Sequence, residues 1–289
     1  MKVIKAVGGL GSQMMAYALF LALKERYEGK VIFDVGWFRN HKQHNGLELT
    51  RVFGIEIEEN KNVISAIVNS KSLICRLVKK LFLNKRTIFA EKYNFNYIPD
   101  VFKNEKLMIL DQCWTSYLYF DFIEKRIVDQ FSFPDFSDSK NQLLAEKILV
   151  SNSVSLHVRR GDYLCSESLG GVVGLAYYKK AVQYIRDNVS NPIFYVFSDD
   201  IAWCKSNLNL ATDEVIYVDW NCGDMSYQDM HLMSICKHNI IANSSFSWWG
   251  AYLNRNETKI VICPNRWGNI DSNVELKDMN KPDWIKMES

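Results

Sequence analysis

Three short segments of the 289-residue chain end in residues suited to holding an anion. In SLHVRRGDY, Ser155 to Tyr163, an apolar run gives way to Arg159, Arg160, Gly161 and Asp162. Arginine is permanently charged, its planar fork matches phosphate oxygens two at a time, and Gly161 lets the chain turn sharply. The alternative is a solvated arginine pair at a strand terminus. In FYVFSDD, Phe194 to Asp200, a second run delivers Ser198, Asp199 and Asp200 to a following helix, where they cap free amides or reach a ribose or base. In NIIANSSFSWWGAYLN, Asn239 to Asn254, a third run ends in Asn243, Ser244 and Ser245 before a helix opens through Phe246. Helix N-terminal amides flanked by hydroxyls form an anion seat. The Trp248–Trp249 pair that follows reads as core packing.

A fourth segment, GGLGSQ from Gly8, also follows an apolar run and opens a helix. It is not a P-loop, because no Lys-Ser or Lys-Thr follows, and Met14 stands where the dinucleotide pattern needs its third glycine. Its backbone can approach a phosphate or sugar closely through Gly9 and Gly11; the alternative is a tight turn without a ligand.

The elements that position these residues alternate strand and helix. Val3 to Val7, a helix over Gln13 to Arg26 and Lys30 to Asp34 make a βαβ opening with a right-handed crossover. Residues 36 to 60 read as a long loop with a short helix, and Asn62 to Phe82 as mainly helical. A strand at Leu107 to Cys113 and a helix near Tyr119 to Gln130 close the first half. FSFPDFSDSKN, from Phe131, is the expected junction, giving domains over 1–135 and 136–289. The second half predicts strands at Val154–Val158, Ile193–Phe197, Val215–Val218, Ile240–Ala242 and Lys259–Cys263. Helices at Leu175–Asp187, Ile201–Asn207, Tyr227–Cys236 and Phe246–Asn254 separate them. Such α/β sheets bind ligands beyond the carboxyl ends of their strands, where the four segments fall.

Composition narrows the partners. Thirty-five basic against thirty-three acidic residues leave +2, too little to imply nucleic acid. The seven cysteines lie fourteen or more positions apart, without zinc spacing, and read as reduced thiols in a cytoplasmic protein. The N-terminus lacks a signal-peptide core, and no apolar stretch of about 18 residues occurs. Residues 71–92 are strongly basic, which fits either a solvated helix face or contact with an anionic membrane surface holding a lipid-linked substrate.

GGLGSQMMAYALFLAL, SLHVRRGDY, YVFSDD and ANSSFSWWGAYLN, in this order and spacing, resemble the bacterial α-1,2-fucosyltransferases of glycosyltransferase family 11. The likeness runs over nearly the whole chain, including 111–133 and VICPNRW at 261–267. It implies a GT-B fold, α/β with two Rossmann-like doubly wound domains facing a central cleft. It implies GDP-β-L-fucose as donor and inverting transfer to the 2-hydroxyl of a galactose-containing acceptor glycan. Carried over by position, Arg159 holds the β-phosphate, with His157, Arg160 and Asp162 as its companions. Asp229, in the QDMHLMS segment with His231, pairs with guanine, and Ser245 reaches the phosphates. Gly9, Gly11 and Gln13 close on the donor. The family's GGLGNQMFQYA reads GGLGSQMMAYA here, so Ser12, Met15 and Ala16 depart from it, and SESLGGVVGL over 166–175 is also unlike the family form.

Cleaving the bond from fucose C1 to phosphate leaves growing negative charge on GDP. The chain has no Asp-x-Asp pair, so the expectation is metal-independent catalysis in which arginine and helix amides meet that charge, with no cofactor. The acceptor hydroxyl needs a base opposite GDP; Glu167, Asp162, Asp34, His41 and His44 are the candidates. Rival readings are an α-1,6 or O-fucosyl transferase and a non-catalytic sugar-nucleotide binder.

Overall fold

A computed structural model describes residues 1–41, 44–58, 70, 72–82, 88–90, 96–103, 107–111, 114–165, 173–267 and 278–289. The chain divides into two compact units, Met1–Ser132 with Lys277–Met279, and Phe133–Leu276 with Asn280–Ser289.

The first unit runs β1 (Lys2–Lys5), α1 (Leu10–Arg26), β2 (Val31–Asp34), a 3-10 turn (Gly36–Arg39), α2 (Leu49–Phe53), α3 (Leu73–Phe82), β3 (Ile88–Ala90), α4 (Asp100–Lys103), β4 (Met108–Asp111) and α5 (Glu124–Gln130). Its parallel sheet has the order β2-β1-β4-β3. Helix α1 is apolar nearly all round and is buried on most of its circumference, including Met14, Ala18, Leu19, Ala22 and Leu23. It starts three residues before the expected Gln13, because the Gln13 amide already bonds Gly9 O and closes the first turn. The helix expected from Tyr119 is two 3-10 turns followed by α5.

The second unit runs α6 (Ser139–Val150), β5 (Asn152–Val158), α7 (Leu175–Asn188), β6 (Pro192–Ser198), α8 (Ile201–Asn207), β7 (Val215–Val218), α9 (Tyr227–Ile235), β8 (His238–Ile240), α10 (Ser245–Leu253), β9 (Val261–Pro264) and β10 (Ile285–Met287). All strands are parallel in the order β10-β9-β8-β5-β6-β7, so among the described residues this sheet has six strands where five were expected. The sequence Ile285-Lys-Met is too short to show a period. Part of the stretch expected as junction is the start of α6: Asp138, which reads as linker composition, is its N-cap, with Oδ1 accepting the Asn141 N–H at 2.8 Å. Strand β8 ends two residues earlier than expected, at Ile240, and buried Asn239 on it bonds Ser155 Oγ and Met233 O.

Chain order along this sheet reverses at one place. From β5 the chain steps outward to β6 and β7, whereas β8, β9 and β10 lie on the other side of β5. The connections therefore diverge between β5 and β8, and in open α/β sheets the carboxyl ends of strands at such a switch point are where ligands bind. In the first sheet the same reversal falls between β1 and β4. Cys75, Cys204, Cys222, Cys236 and Cys263 are free thiols. Among the described residues, no helix is long and apolar enough to cross a membrane.

Candidate functional site

Strand β5 is buried through Val158 and then hands two arginines to the surface. Arg159 is held by carboxylates on both sides. Its Nη2 lies 2.7 Å from Asp162 Oδ1, and its Nε lies 3.0 Å from that oxygen and 3.2 Å from Asp199 Oδ2. Arg160 faces elsewhere. Its Nε meets Asp200 Oδ2 at 3.1 Å and its guanidinium stacks 4.1 Å over the Trp203 ring, while its backbone N–H donates to Asp199 Oδ1 at 2.9 Å. Asp200 is the N-cap of α8, accepting the Trp203 N–H at 3.0 Å, and Ser198 Oγ accepts the Asp200 N–H at 2.9 Å. Thus Ser198 and Asp200 serve the local turn, whereas Asp199 ties β6 to the arginine loop. Gly161 has no left-handed φ; a side chain there would strike Asp199 Oδ2 at 2.6 Å. The chain does turn at Gly161, between β5 and the 3-10 turn that begins at Asp162, but what requires a glycine there is the close approach of the carboxylate.

Across the switch point, Asn243 is buried and its Nδ2 donates to Trp267 O at 3.3 Å. Ser244 is the N-cap of α10, its Oγ accepting the Phe246 N–H at 3.4 Å, so Ser245 opens the first turn, where helix amides have no intrahelical partner. Trp248 and Trp249 are fully buried with Tyr252, as expected of core. Gly250 permits α10 to lie close on α9: a Cβ there would sit 2.8 Å from Met233 Cβ. Beneath the loops, His157 is buried with its ring 5.9 Å from that of Phe246, and its Nδ1 makes no hydrogen bond. Desolvation, with the Arg159 charge second, pushes its pKa down to about 3, so the ring is neutral.

Helix α9 carries the remaining residues expected on the donor. Asp229 Oδ1 accepts from Asn221 Nδ2 at 2.8 Å; the same amide reaches Asn141 Oδ1 at 3.1 Å, and buried Asn141 donates to Asp138 and to Gln228. Desolvation raises the Asp229 carboxyl to about 8 despite the Asn221 bond, so it is largely protonated at neutral pH. His231 is stacked on Phe133 and Phe136 at 4.8 and 4.1 Å. Its pKa is lowered to about 4 by desolvation, with Asp135 opposing, which describes a packing ring.

The first unit's turn is built differently. The left-handed residue is Gly8 (φ +75), rather than Gly9 or Gly11. Buried Gln13 binds Gly8 O and Gly46 O through Nε2 and the Glu48 N–H through Oε1, stitching the 44–48 loop to the turn. The His44 ring lies over Gly9, at a left-handed φ of 57. Asp34 is buried and accepts the Gly36 N–H, and His41 stacks on Trp37 at 4.5 Å. Glu167 lies outside the described residues.

The structure thus gathers Arg159, Arg160, Asp162, Ser198 and Asp199 at the ends of β5 and β6. Asn243, Ser244, Ser245 and Phe246 stand at the end of β8, next to β5, and Asp229 lies on the helix packed against α10. Gly9, Gly11 and Gln13 belong to the other unit. Sequence reasoning missed Asn221 and Asn141, which position Asp229, and Glu48, a buried carboxylate whose pKa is raised by desolvation and lowered by Asn45 and Arg51. Only the unusual density of glycines after β1 signalled Gly8.

The profile of glycosyl transferase family 11 matches residues 50–288. An alpha-1,2-colitosyltransferase of Escherichia coli is 31% identical, the match covering 99% of this chain and 98% of the relative. The O-antigen biosynthesis glycosyltransferase WbnK of Escherichia coli is 32% identical over 97% and 98%. Galactoside alpha-(1,2)-fucosyltransferase 2 of Rattus norvegicus is 27% identical over 88% and 67%. In fold, the chain is similar to a crystal structure of NodZ alpha-1,6-fucosyltransferase soaked with GDP-fucose, at TM-score 0.53 and 15% identity, covering 87% and 91%. The paired parallel α/β units are of the GT-B glycosyltransferase class. The chain belongs to glycosyl transferase family 11.

Proposed function

We propose that the protein transfers L-fucose from GDP-β-L-fucose, with inversion, to the 2-hydroxyl of a terminal galactose-type residue on a glycan precursor. The observation that carries this reading is the switch point: a guanidinium whose donors already face carboxylate oxygens follows the end of β5, and a serine-flanked helix N-terminus follows the end of the neighbouring β8. Phosphate oxygens make the same hydrogen bonds to an arginine fork as carboxylates do, with more charge. Donor arrival would draw Arg159 off Asp162 and Asp199 onto the pyrophosphate, while the α10 amides and Ser245 take the other phosphate oxygens. As the C1–O bond breaks, the charge developing on GDP meets a fixed cation and aligned dipoles.

The remaining roles follow from placement. Asp162, paired to the arginine on the leaving-group side, holds that arginine in place until the donor arrives and is badly placed to deprotonate an acceptor arriving in line from the opposite face. Among carboxylates of this loop, Glu167 is our candidate for that proton. His157 supports the arginine loop as a neutral ring, and Arg160 fixes it through Asp200 and Trp203. Asp229 faces guanine, whose N–H groups a carboxylate accepts. Gly9, Gly11 and Gln13 shape the first unit's turn for the donor. No metal or cofactor takes part in this scheme.

The relative named for colitose supports a second donor, since colitose is fucose without its 3-hydroxyl. A site that hydrogen-bonds a hydroxyl rejects the analogue lacking it by about 10⁴-fold, whereas an apolar contact there does not. Incubation of the full chain with GDP-fucose or GDP-colitose and a panel of β-galactosides, with and without EDTA, followed by linkage analysis, tests the proposal. We expect an α-1,2 product from GDP-fucose that EDTA leaves unchanged. A different linkage, or binding without turnover, would overturn the reaction; loss of turnover on chelation would overturn its metal independence; turnover with GDP-colitose alone would move the donor.

A further inference from the structure

Helix α3, LICRLVKKLF, separates its apolar from its charged residues strongly, yet most of its described apolar side chains are turned to solvent. Leu73, Ile74 and Leu77 are 79%, 75% and 60% exposed. At about 100° per residue, Leu73, Ile74, Leu77 and Val78 fall on one arc and Arg76 on the opposite one. A helix that merely covered a core would bury that whole arc; here, among the described residues of the helix, Leu73, Ile74 and Leu77 stay exposed and only Val78 is half-buried.

The charge around it selects the occupant. Residues 71–92 contain Lys71, Arg76, Lys79, Lys80, Lys85, Arg86 and Lys92 against Glu91 alone, in a chain whose net charge is only +2. Exposed leucines beside a local cationic excess fit the acyl and headgroup layers of an anionic bilayer, with the helix lying in the interface plane. A second copy of this chain would bring the same cationic residues against themselves, which like-charge repulsion opposes. We infer that α3 is a docking element for an anionic lipid surface, with Leu73, Ile74 and Leu77 entering the acyl boundary and Arg76 and its basic neighbours at the headgroups.

This inference is independent of the donor reading, because it is tested without nucleotide. The full chain is sedimented with vesicles of phosphatidylcholine alone and with vesicles containing phosphatidylglycerol, at low and high salt. The wild type should bind the anionic vesicles and leave them as salt rises. The Leu73→Glu/Leu77→Glu variant, altered only at exposed positions, should bind about tenfold less, and Arg76→Glu should weaken binding by about fivefold or more, as one basic residue is worth ~1 kcal/mol at such a surface. Circular dichroism and Tm confirm that the variants fold. No binding by the wild type, or unchanged binding by the double variant, would overturn the inference. So would light scattering that shows a wild-type dimer which the double variant dissolves, because the face would then be covered by a second copy.

Discussion

The ends of β1 and β5 occupy equivalent places, each beside the chain reversal of its own parallel sheet, but they are held by opposite means. At β1 the turn is locked by neutral hydrogen bonds from one buried amide, Gln13, to three backbone groups. At β5 it is held by half-exposed ion pairs among Arg159, Asp162 and Asp199. Buried neutral bonds fix a shape because breaking them strands polar groups in the interior. Exposed ion pairs add little stability and can exchange partners when an anion of higher charge arrives. The first end is built to hold its form and the second to change hands, which is the reason for our proposal that the leaving group sits at β5.

Substitutions should separate the two regions. The largest effect on activity is expected from Arg159→Ala, a loss of about 10²–10³ in kcat, or roughly 3–4 kcal/mol of transition-state stabilisation, with Tm nearly unchanged. Steady-state kinetics beside a thermal melt reads both. Gln13→Ala should show the reverse balance: it leaves the buried Glu48 amide and two half-buried carbonyls without partners and should cost about 2 kcal/mol of stability, visible in denaturant titration. If Arg159→Ala unfolds the protein, or Gln13→Ala leaves stability unaltered, the contrast drawn between the two strand ends is lost.

A smaller effect, one of pH, should come from Asp229. Its folded pKa is raised from 3.8 to about 8, so the native state holds a proton that the unfolded chain has lost, and this group lowers stability progressively as pH rises from about 4 to 8. Asp229→Asn should remove that part of the slope in melts across the window. Because a guanine needs the ionised carboxylate, GDP binding by the wild type should tighten from pH 6 to pH 8 and release a proton. A GDP affinity flat in pH would contradict the role given to Asp229.

Much of this arrangement was readable from residue order. Apolar residues of the second half marked β5, β6 and β7 closely: central β6 is buried on both faces and continuously apolar through Phe194, Tyr195, Val196 and Phe197, whereas in β5 Val154, Leu156 and Val158 alternate with serine and histidine. The motifs at their ends followed from the same signal. What was hidden depends on pairs distant in sequence. Gly161 is explained by Asp199, thirty-eight positions on, and Gly250 by Met233 on the neighbouring helix. The start of α6 was read as linker because Asp138 and its neighbours are turn formers, and the same chemistry caps helices. The split between Arg159 and Arg160 could not be read either, since it rests on Trp203 and Asp200 beneath only one of them.

A crystal structure of the full chain with GDP tests the central claim most directly. It should place the pyrophosphate between the ends of β5 and β8, with the Arg159 guanidinium moved from Asp162 and Asp199 onto phosphate oxygens and Ser245 within hydrogen-bond distance. A pyrophosphate bound elsewhere, with Arg159 still clasped by both carboxylates, would contradict it.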